Sequence, residues 1–180
     1  MAADVFYANG FTAGTTREIA ARVGMTQPTL YHYVGKKEDL LREIALRVDA
    51  EMSDALERGL AASVEPREQL TAVLTEFTEA VIRNQKLFAV YYKEQHLLAP
   101  EIRDQVTEHE RAFVRRIAQV VRTLQREGAL PAGASATVVT EAMIGMASWT
   151  YHWYRPEGPV SAPKIARTFL ELLHLAPRPG

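Results

Sequence analysis

Between Thr26 and Tyr33 the chain reads Thr-Gln-Pro-Thr-Leu-Tyr-His-Tyr, a run of hydrogen-bonding and aromatic side chains without Asp, Glu, Lys or Arg inside it. Such a set suits the reading of base-pair edges. A glutamine amide pairs bidentately with adenine, and a proline ring or threonine methyl packs on the methyl of thymine. Thr26, Gln27, Pro28, Thr29, Tyr31, His32 and Tyr33 are therefore candidate nucleic-acid contacts. Arg17, Lys36 and Lys37 flank the run, where the phosphates of a duplex would lie. From Phe11 to Lys37 four basic residues stand against Glu18 alone, a surplus of three positive charges in a chain whose net charge is −1. The average hides a local patch.

To work, that surface must sit on a helix that a second helix braces. Thr15-Thr16-Arg17-Glu18 has the form of a capping box, which predicts a helix from there to about residue 23. Gly24-Met25-Thr26 is a tight turn, Thr26 can cap the next helix with Pro28 in its first turn, and Gly35 ends that helix after about two turns. Two short helices around a glycine turn make a helix-turn-helix, whose second helix enters a major groove. Ile19, Ala20, Val23, Met25 and Leu30 are the apolar set expected to lock the pair together. The other reading is a helical hairpin of an ordinary bundle, but cap, turn, core and exposed face all agree on DNA binding.

The remaining pattern is helical throughout. A first helix over about 2–8 meets a stop at Asn9-Gly10. A fourth, from Lys36, carries Leu40, Leu41, Ile44, Val48, Met52, Ala55, Leu56 and Leu60 on one stripe. After the break at Ser63-Val64-Glu65-Pro66 come a fifth with Leu70, Val73, Leu74, Phe77 and Val81, a sixth over 87–98, and a long seventh restarting at Ala99-Pro100-Glu101 and stopped by Gly128 and Pro131. An eighth is expected over about 134–154, a loop over 155–159, and a last helix capped by Ser161. No segment alternates like a strand, so the expected fold class is all-α with about nine helices.

Composition removes other classes. With 180 residues, 47% of them hydrophobic, the chain folds rather than staying disordered, and without cysteine it has no disulfide, thiol nucleophile or Cys-type zinc site. The longest charge-free stretches, 128–140 and 142–154, have 13 residues each and fall short of a membrane span. The first residues lack the pattern of a signal peptide, so the expectation is a soluble, cytoplasmic protein without membrane association. Nucleophile-elbow, phosphate-loop, dinucleotide and zinc-protease motifs are absent, so neither catalytic residues nor a cofactor are expected. Glu108, His109 and Glu110 are neighbours that point to different helix faces, so no metal site is expected either.

Phe77, Val81, Phe88, Tyr91, Tyr92, Phe113, Met143, Met146 and Trp149 are core residues by their spacing or the lining of a ligand cavity, and both readings stay open. His96, His109, His152 and Glu94 are polar anchors for a ligand or structurally satisfied groups. Ala142, Gly145 and Ser148, three apart on the eighth helix, allow the close approach of another helix; with Trp153 and the last helix they suit a four-helix dimer seam, or else an internal contact.

Thr15 to Ala20 followed by Gly24-Met-Thr-Gln-Pro-Thr-Leu-Tyr-His-Tyr-Val-Gly-Lys-Lys-Glu-Asp-Leu40 resembles the DNA-binding domain of tetracycline-repressor (TetR) family regulators. The resemblance implies that Gln27, Pro28 and Arg17 read bases, and that Thr16, Thr29, Tyr31, Tyr33 and Lys37 hold phosphates. It also implies a helix-turn-helix domain over 1–46 and a helical ligand-binding and dimerisation domain over 47–180. The partners implied are a palindromic double-stranded operator, a second copy joined through the last two helices, and a small-molecule effector. The segment Trp149 to Ser161 is similar to the end of the eighth helix in members that answer to coenzyme A thioesters of lipid or steroid breakdown. That helix has no Lys or Arg before Arg155 to grip phosphates, which leaves a simpler apolar effector open beside an acyl-CoA. Family members usually carry a basic arm and a longer first helix ahead of the Ala-Ala-x-x-Phe segment within which this sequence starts; either the start lies further upstream or the arm is missing, and in both cases the phosphate affinity expected from these residues is understated relative to the family. The expected function is a ligand-gated regulator of transcription, acting as a repressor; a DNA-bound scaffold without effector and a helical-bundle enzyme are the alternatives.

Overall fold

The computed structural model describes residues 1–173, and all regular structure among them is helical. The helices are α1 (Ala2–Ala13), α2 (Thr16–Arg22), α3 (Gln27–Val34), α4 (Lys37–Ala61), α5 (Pro66–Arg83), α6 (Gln85–Glu94), α7 (Pro100–Arg126), α8 (Ala136–Ser148), α9 (Thr150–Trp153) and α10 (Ala162–Leu172). They pack as two compact units. One comprises Met1–Ala50 with Asn84–Glu108, the other Glu51–Arg83 with residues 109–173.

In the first unit α1 packs along α6, and α2 packs on α3. The stop at Asn9-Gly10 is real but local: Gly10 adopts φ 77° and ψ 162°, a backbone region that only glycine enters readily, and one more helical turn follows to Ala13. Phe6 and Phe11 meet edge to face across the kink, with ring centroids 5.0 Å apart. The kink deprives the Phe11 N–H of an acceptor within its own helix, and the buried carboxylate of Glu94 on α6 supplies one at 3.1 Å. Glu94 is thus a structural group tying α6 to α1. Lys86 Nζ also bonds Asp4 Oδ1 at 2.7 Å on the same pair of helices.

In the second unit α5 is central, packed by α8, α9 and α10. Leu70, Val73, Leu74, Phe77 and Val81 of α5 are buried with Phe113, Ile117, Val121 and Leu124 of α7, Met143 and Ala147 of α8, and Ile165 and Leu170 of α10. Gly59 of α4 lies directly on the backbone of Val73; a Cβ added there would stand 2.5 Å from the Val73 Cα. Arg58 pairs with Glu76 at 2.8 Å, and Arg116 makes a bidentate pair with Glu57.

Two expected helices are broken. The sixth ends at Glu94 and tightens into a 3-10 turn at Gln95–Leu97, two residues short of the helix start at Pro100. The eighth is divided at Trp149 into α8 and the single turn α9. The buried Thr150 hydroxyl donates to the Ala147 carbonyl at 2.6 Å, the back-bonding that bends helices, and the His152 N–H reaches the Trp149 carbonyl in a three-residue step. Counted as one bent helix, α8 and α9 leave nine α-helices among the described residues.

Candidate nucleic-acid interface

Local chemistry sets the two short helices. The Thr15 hydroxyl accepts the Glu18 N–H at 3.1 Å to open α2, and the Thr26 hydroxyl accepts the Thr29 N–H at 3.3 Å to open α3. Gly24 (φ 69°) makes the turn between them. The capping box is only half made: the Glu18 carboxylate, instead of returning to Thr15, accepts from Asn9 Nδ2 at 2.9 Å and from Arg22 at 3.1 Å. The one acid in the basic stretch is thereby held by its own neighbours.

Ile19, Ala20 and Leu30 are buried between the helices and Val23 is partly so, as their apolar spacing requires. Met25 is not part of that lock. It sits in the turn with 42% of its surface exposed, because the step out of the α2 helix at Gly24 carries its side chain off the buried face.

On the outer side of α3, Pro28, Thr29, Tyr31, His32 and Tyr33 are exposed, with Thr26 at the helix start. Tyr33 is more open than Tyr31, and its ring meets His32 edge to face at 5.8 Å. The Thr26 and Thr29 hydroxyls bond each other at 2.8 Å. Gln27 is half-buried at the first position of α3, its Nε2 donating to Thr16 Oγ1 at 2.9 Å. Thr16, only 5% exposed, also lies 3.0 Å from the Tyr31 hydroxyl. Its hydroxyl is therefore spent inward on two α3 side chains.

The cations differ in their engagement. Arg17 and Lys36 are exposed, and no acid pairs with either among the described residues. Lys37 instead donates to the Thr12 carbonyl at 3.0 Å and lies over the Phe11 ring, 4.6 Å from its centroid. An ammonium has three donors, so one bond to Thr12 leaves two for a phosphate. Asp39 Oδ2 accepts the Lys36 N–H at 2.9 Å and fixes the start of α4 behind the interface. The result is a face with hydrogen-bonding groups at its centre and free cations at its edge, which is the arrangement base edges and flanking phosphates require.

The nine cavity candidates fall into both units. Phe88 and Tyr91 are buried in the first, with Tyr92 partly exposed beside them and 5.4 Å from the Tyr91 ring. Phe77, Val81, Phe113 and Met143 are buried in the second, where the Phe77 and Phe113 rings stand 5.2 Å apart. Phe77, Met143, Val73, Leu74, Ile117 and Ile144 enclose a void of about 10 Å³, the size of one water. Met146 is half-buried, while Trp149 is 54% exposed and stacks on His152 with centroids 4.6 Å apart. Sequence reasoning missed two placements: the Glu94 link to Phe11, and Thr16 beneath α3. Neither has a local signal, since each depends on a partner far away in the chain.

The chain matches two family descriptions: residues 1–44 match bacterial regulatory proteins of the tetR family, and residues 63–175 match the tetracyclin repressor-like C-terminal domain. It is similar to the HTH-type transcriptional repressor KstR2 of Rhodococcus jostii (strain RHA1), at 25% identity over 174 residues, spanning 96% of this chain and 85% of the relative. Among solved structures it resembles the TetR family regulator PfmR from Thermus thermophilus, with TM-score 0.88, 24% identity and coverage of 99% and 97% of the two chains. AibR in complex with isovaleryl coenzyme A and operator DNA matches with TM-score 0.83 at 25% identity, over 97% of this chain and 95% of that one.

Proposed function

The chain belongs to the TetR family of bacterial regulators, and on that premise we propose that it is a homodimeric repressor that binds a palindromic operator and is released by a small-molecule effector. The observation that carries this is the outer face of α3, where Pro28, Thr29, Tyr31 and Tyr33 stand exposed beside Arg17 and Lys36, with which no acid pairs among the described residues. Gln27 and Arg17 are assigned to bases with Pro28 in contact with a thymine methyl. Thr29, Tyr31, Tyr33, Lys36 and Lys37 are assigned to phosphates, and Thr26 and His32 to the rim of the same face. In a two-fold dimer two such helices would enter successive major grooves about 34–36 Å apart.

For the dimer seam we assign the open side of α8 to α10. Val138, Trp149, Trp153 and Leu172 expose large apolar surface there, Ala142 is exposed, and a Cβ added at Gly145 would meet nothing within 4 Å. The second unit's own packing therefore leaves this glycine unused, and a partner helix is what would need the space.

For the effector we assign an acyl-coenzyme A thioester, whose acyl chain is apolar and whose affinity for the DNA-incompetent form need exceed that for the other by only a few kcal/mol, about 1–3 in most allosteric proteins. KstR2 supports the sign of control, and AibR, seen with both an acyl-CoA and operator DNA, supports the effector class. The chain would act in the cytoplasm, where its DNA lies. An electrophoretic mobility-shift assay on DNA flanking its own gene, run with a panel of acyl-coenzyme A thioesters, tests the reading. Release of the complex by one thioester is the expected result, and a shift that no thioester changes would refute the effector assignment.

A further inference from the structure

We infer that Thr16 is a positioning residue for sequence readout: its buried hydroxyl holds the Gln27 amide in the orientation that reads a base and turns the Tyr31 hydroxyl hydrogen outward. The inference rests on the operator-binding reading above and deepens it.

The direction of each bond follows from a count of hydrogens. Gln27 and Tyr31 are four residues apart on α3, so their side chains rise from the same face. Beneath that face lies Thr16, at the first position of α2 and 5% exposed. Gln27 Nε2 can only donate, so at 2.9 Å the Thr16 oxygen is the acceptor. The single Thr16 hydroxyl hydrogen then needs an acceptor of its own, because a buried donor without one is costly. The Tyr31 oxygen, 3.0 Å away, is the acceptor in reach. Tyr31 is 42% exposed and its own hydrogen is left over, free to bond a phosphate. The donors thus run in one sense, from Gln27 to Thr16 to Tyr31 and out.

This order bears directly on recognition. Gln27 spends one N–H on Thr16 and keeps its carbonyl oxygen and second N–H, which are the pair an adenine edge requires. The bond to Thr16 restrains the amide with its Nε2 turned inward before DNA arrives, and a flip would require both hydroxyl bonds to reverse, Thr16 donating to the Gln27 oxygen and Tyr31 to Thr16. Thr16 itself retains no donor for a phosphate, which reassigns its hydroxyl from the phosphate role implied by the family resemblance to orientation of Gln27.

Fluorescence anisotropy on the full chain tests this, using the operator, operator variants changed at each adenine, and random DNA, with wild type, Thr16→Val, Thr16→Ser, Gln27→Ala and the Thr16→Val/Gln27→Ala double variant. Thr16→Val is expected to lose discrimination at one adenine position by on the order of tenfold, with affinity for random DNA unchanged. Thr16→Ser keeps the hydroxyl and is expected to behave as wild type, and the double variant to discriminate no worse than Gln27→Ala. Nitrogen-15 relaxation of the Gln27 side-chain amide in DNA-free protein gives a second reading: rigid in wild type and Thr16→Ser, mobile in Thr16→Val, with Thr16→Ala serving if the valine variant does not fold. Equal weakening of operator and random DNA by Thr16→Val, undiminished discrimination, or an equally rigid amide would overturn the inference alone. Wild-type protein that does not discriminate at all would overturn it together with the operator-binding reading.

Discussion

Replacing Glu94 tests how the first unit holds its bent N-terminal helix. The Gly10 kink leaves the Phe11 N–H outside the helical ladder, and the Glu94 carboxylate, 7% exposed, accepts it at 3.1 Å. Glu94→Ala removes that acceptor and leaves a buried N–H unsatisfied, at a cost of about 1–3 kcal/mol. For a chain of this size each kcal/mol moves the melting midpoint by about 2–4 °C, so a loss near 2 kcal/mol lowers it by roughly 4–8 °C. Glu94→Gln retains a carbonyl oxygen at the same place and should cost less than about 1 kcal/mol. Gly10→Ala separates the backbone from the carboxylate: an added Cβ would be 3.7 Å from the Glu94 oxygen, an ordinary contact, so its penalty is backbone strain, about 1–3 kcal/mol. Thermal unfolding followed by circular dichroism at 222 nm reads all three. If Glu94→Ala were neutral, or Glu94→Gln as damaging as Glu94→Ala, the acceptor role would be wrong.

Lys37→Met should lower stability by about 1 kcal/mol in urea unfolding, because it loses both the bond to the Thr12 carbonyl and the contact with the Phe11 ring; unchanged stability would show that the ammonium is idle in the free protein. Gly59→Ala gains about 1 kcal/mol of helix propensity but drives a methyl into the Val73 backbone 2.5 Å away, so we expect net destabilisation by about 1–2 kcal/mol, and a neutral or stabilised variant would contradict the close α4 to α5 crossing. Gly145→Leu should leave the unfolding midpoint of dilute protein intact while raising the dimer dissociation constant in sedimentation equilibrium, and an unaffected dimer would move the seam elsewhere. Hydrogen bonds from Lys86 and, after it, from the Met1 ammonium lower Asp4 from the usual aspartate value of 3.8 to about 2. That stabilisation is fully present above pH 3.8 and lost as pH falls through about 2. The pair is solvent-exposed and worth only about 0.2–1 kcal/mol, so the stability gap between wild type and Asp4→Asn should close between about pH 4 and pH 2, and a gap that persists at low pH would refute the pairing.

What the sequence disclosed was whatever local chemistry controls. Thr15, Gly24, Thr26, Pro28 and Gly35 act within a few residues of themselves, and the start, turn and end of α2 and α3 fall where those residue types demand. The long stripe of α4 was legible for the same reason, since burial of Leu41, Ile44, Val48, Ala55 and Leu56 follows helical spacing. Features set by distant partners were not legible. Glu94 looks like any acid until Phe11, 83 residues earlier, brings it an unsatisfied N–H, and Thr16 looks like a surface residue until α3 folds over it. Met25 misled because an apolar residue in a turn has no periodicity to place it. Trp149 misled for the opposite reason: it keeps helical spacing with Met143 and Met146, yet the bend that Thr150 introduces and the side of α8 it occupies leave it in the open. Spacing alone also could not divide the aromatic candidates between two packing units, a matter of tertiary contacts.

The most direct test of the central claim is a fluorescence-anisotropy titration of wild type and Gln27→Ala against DNA flanking the protein's own gene and against random DNA of equal length, at two fixed salt concentrations. Wild type is expected to bind the flanking DNA at least about a thousandfold more tightly than random DNA, with both affinities falling steeply as salt rises. Gln27→Ala is expected to lose about 1–3 kcal/mol on the specific site alone. Equal affinity of wild type for the two DNAs, or an equal loss on both from Gln27→Ala, would contradict sequence-specific readout by α3.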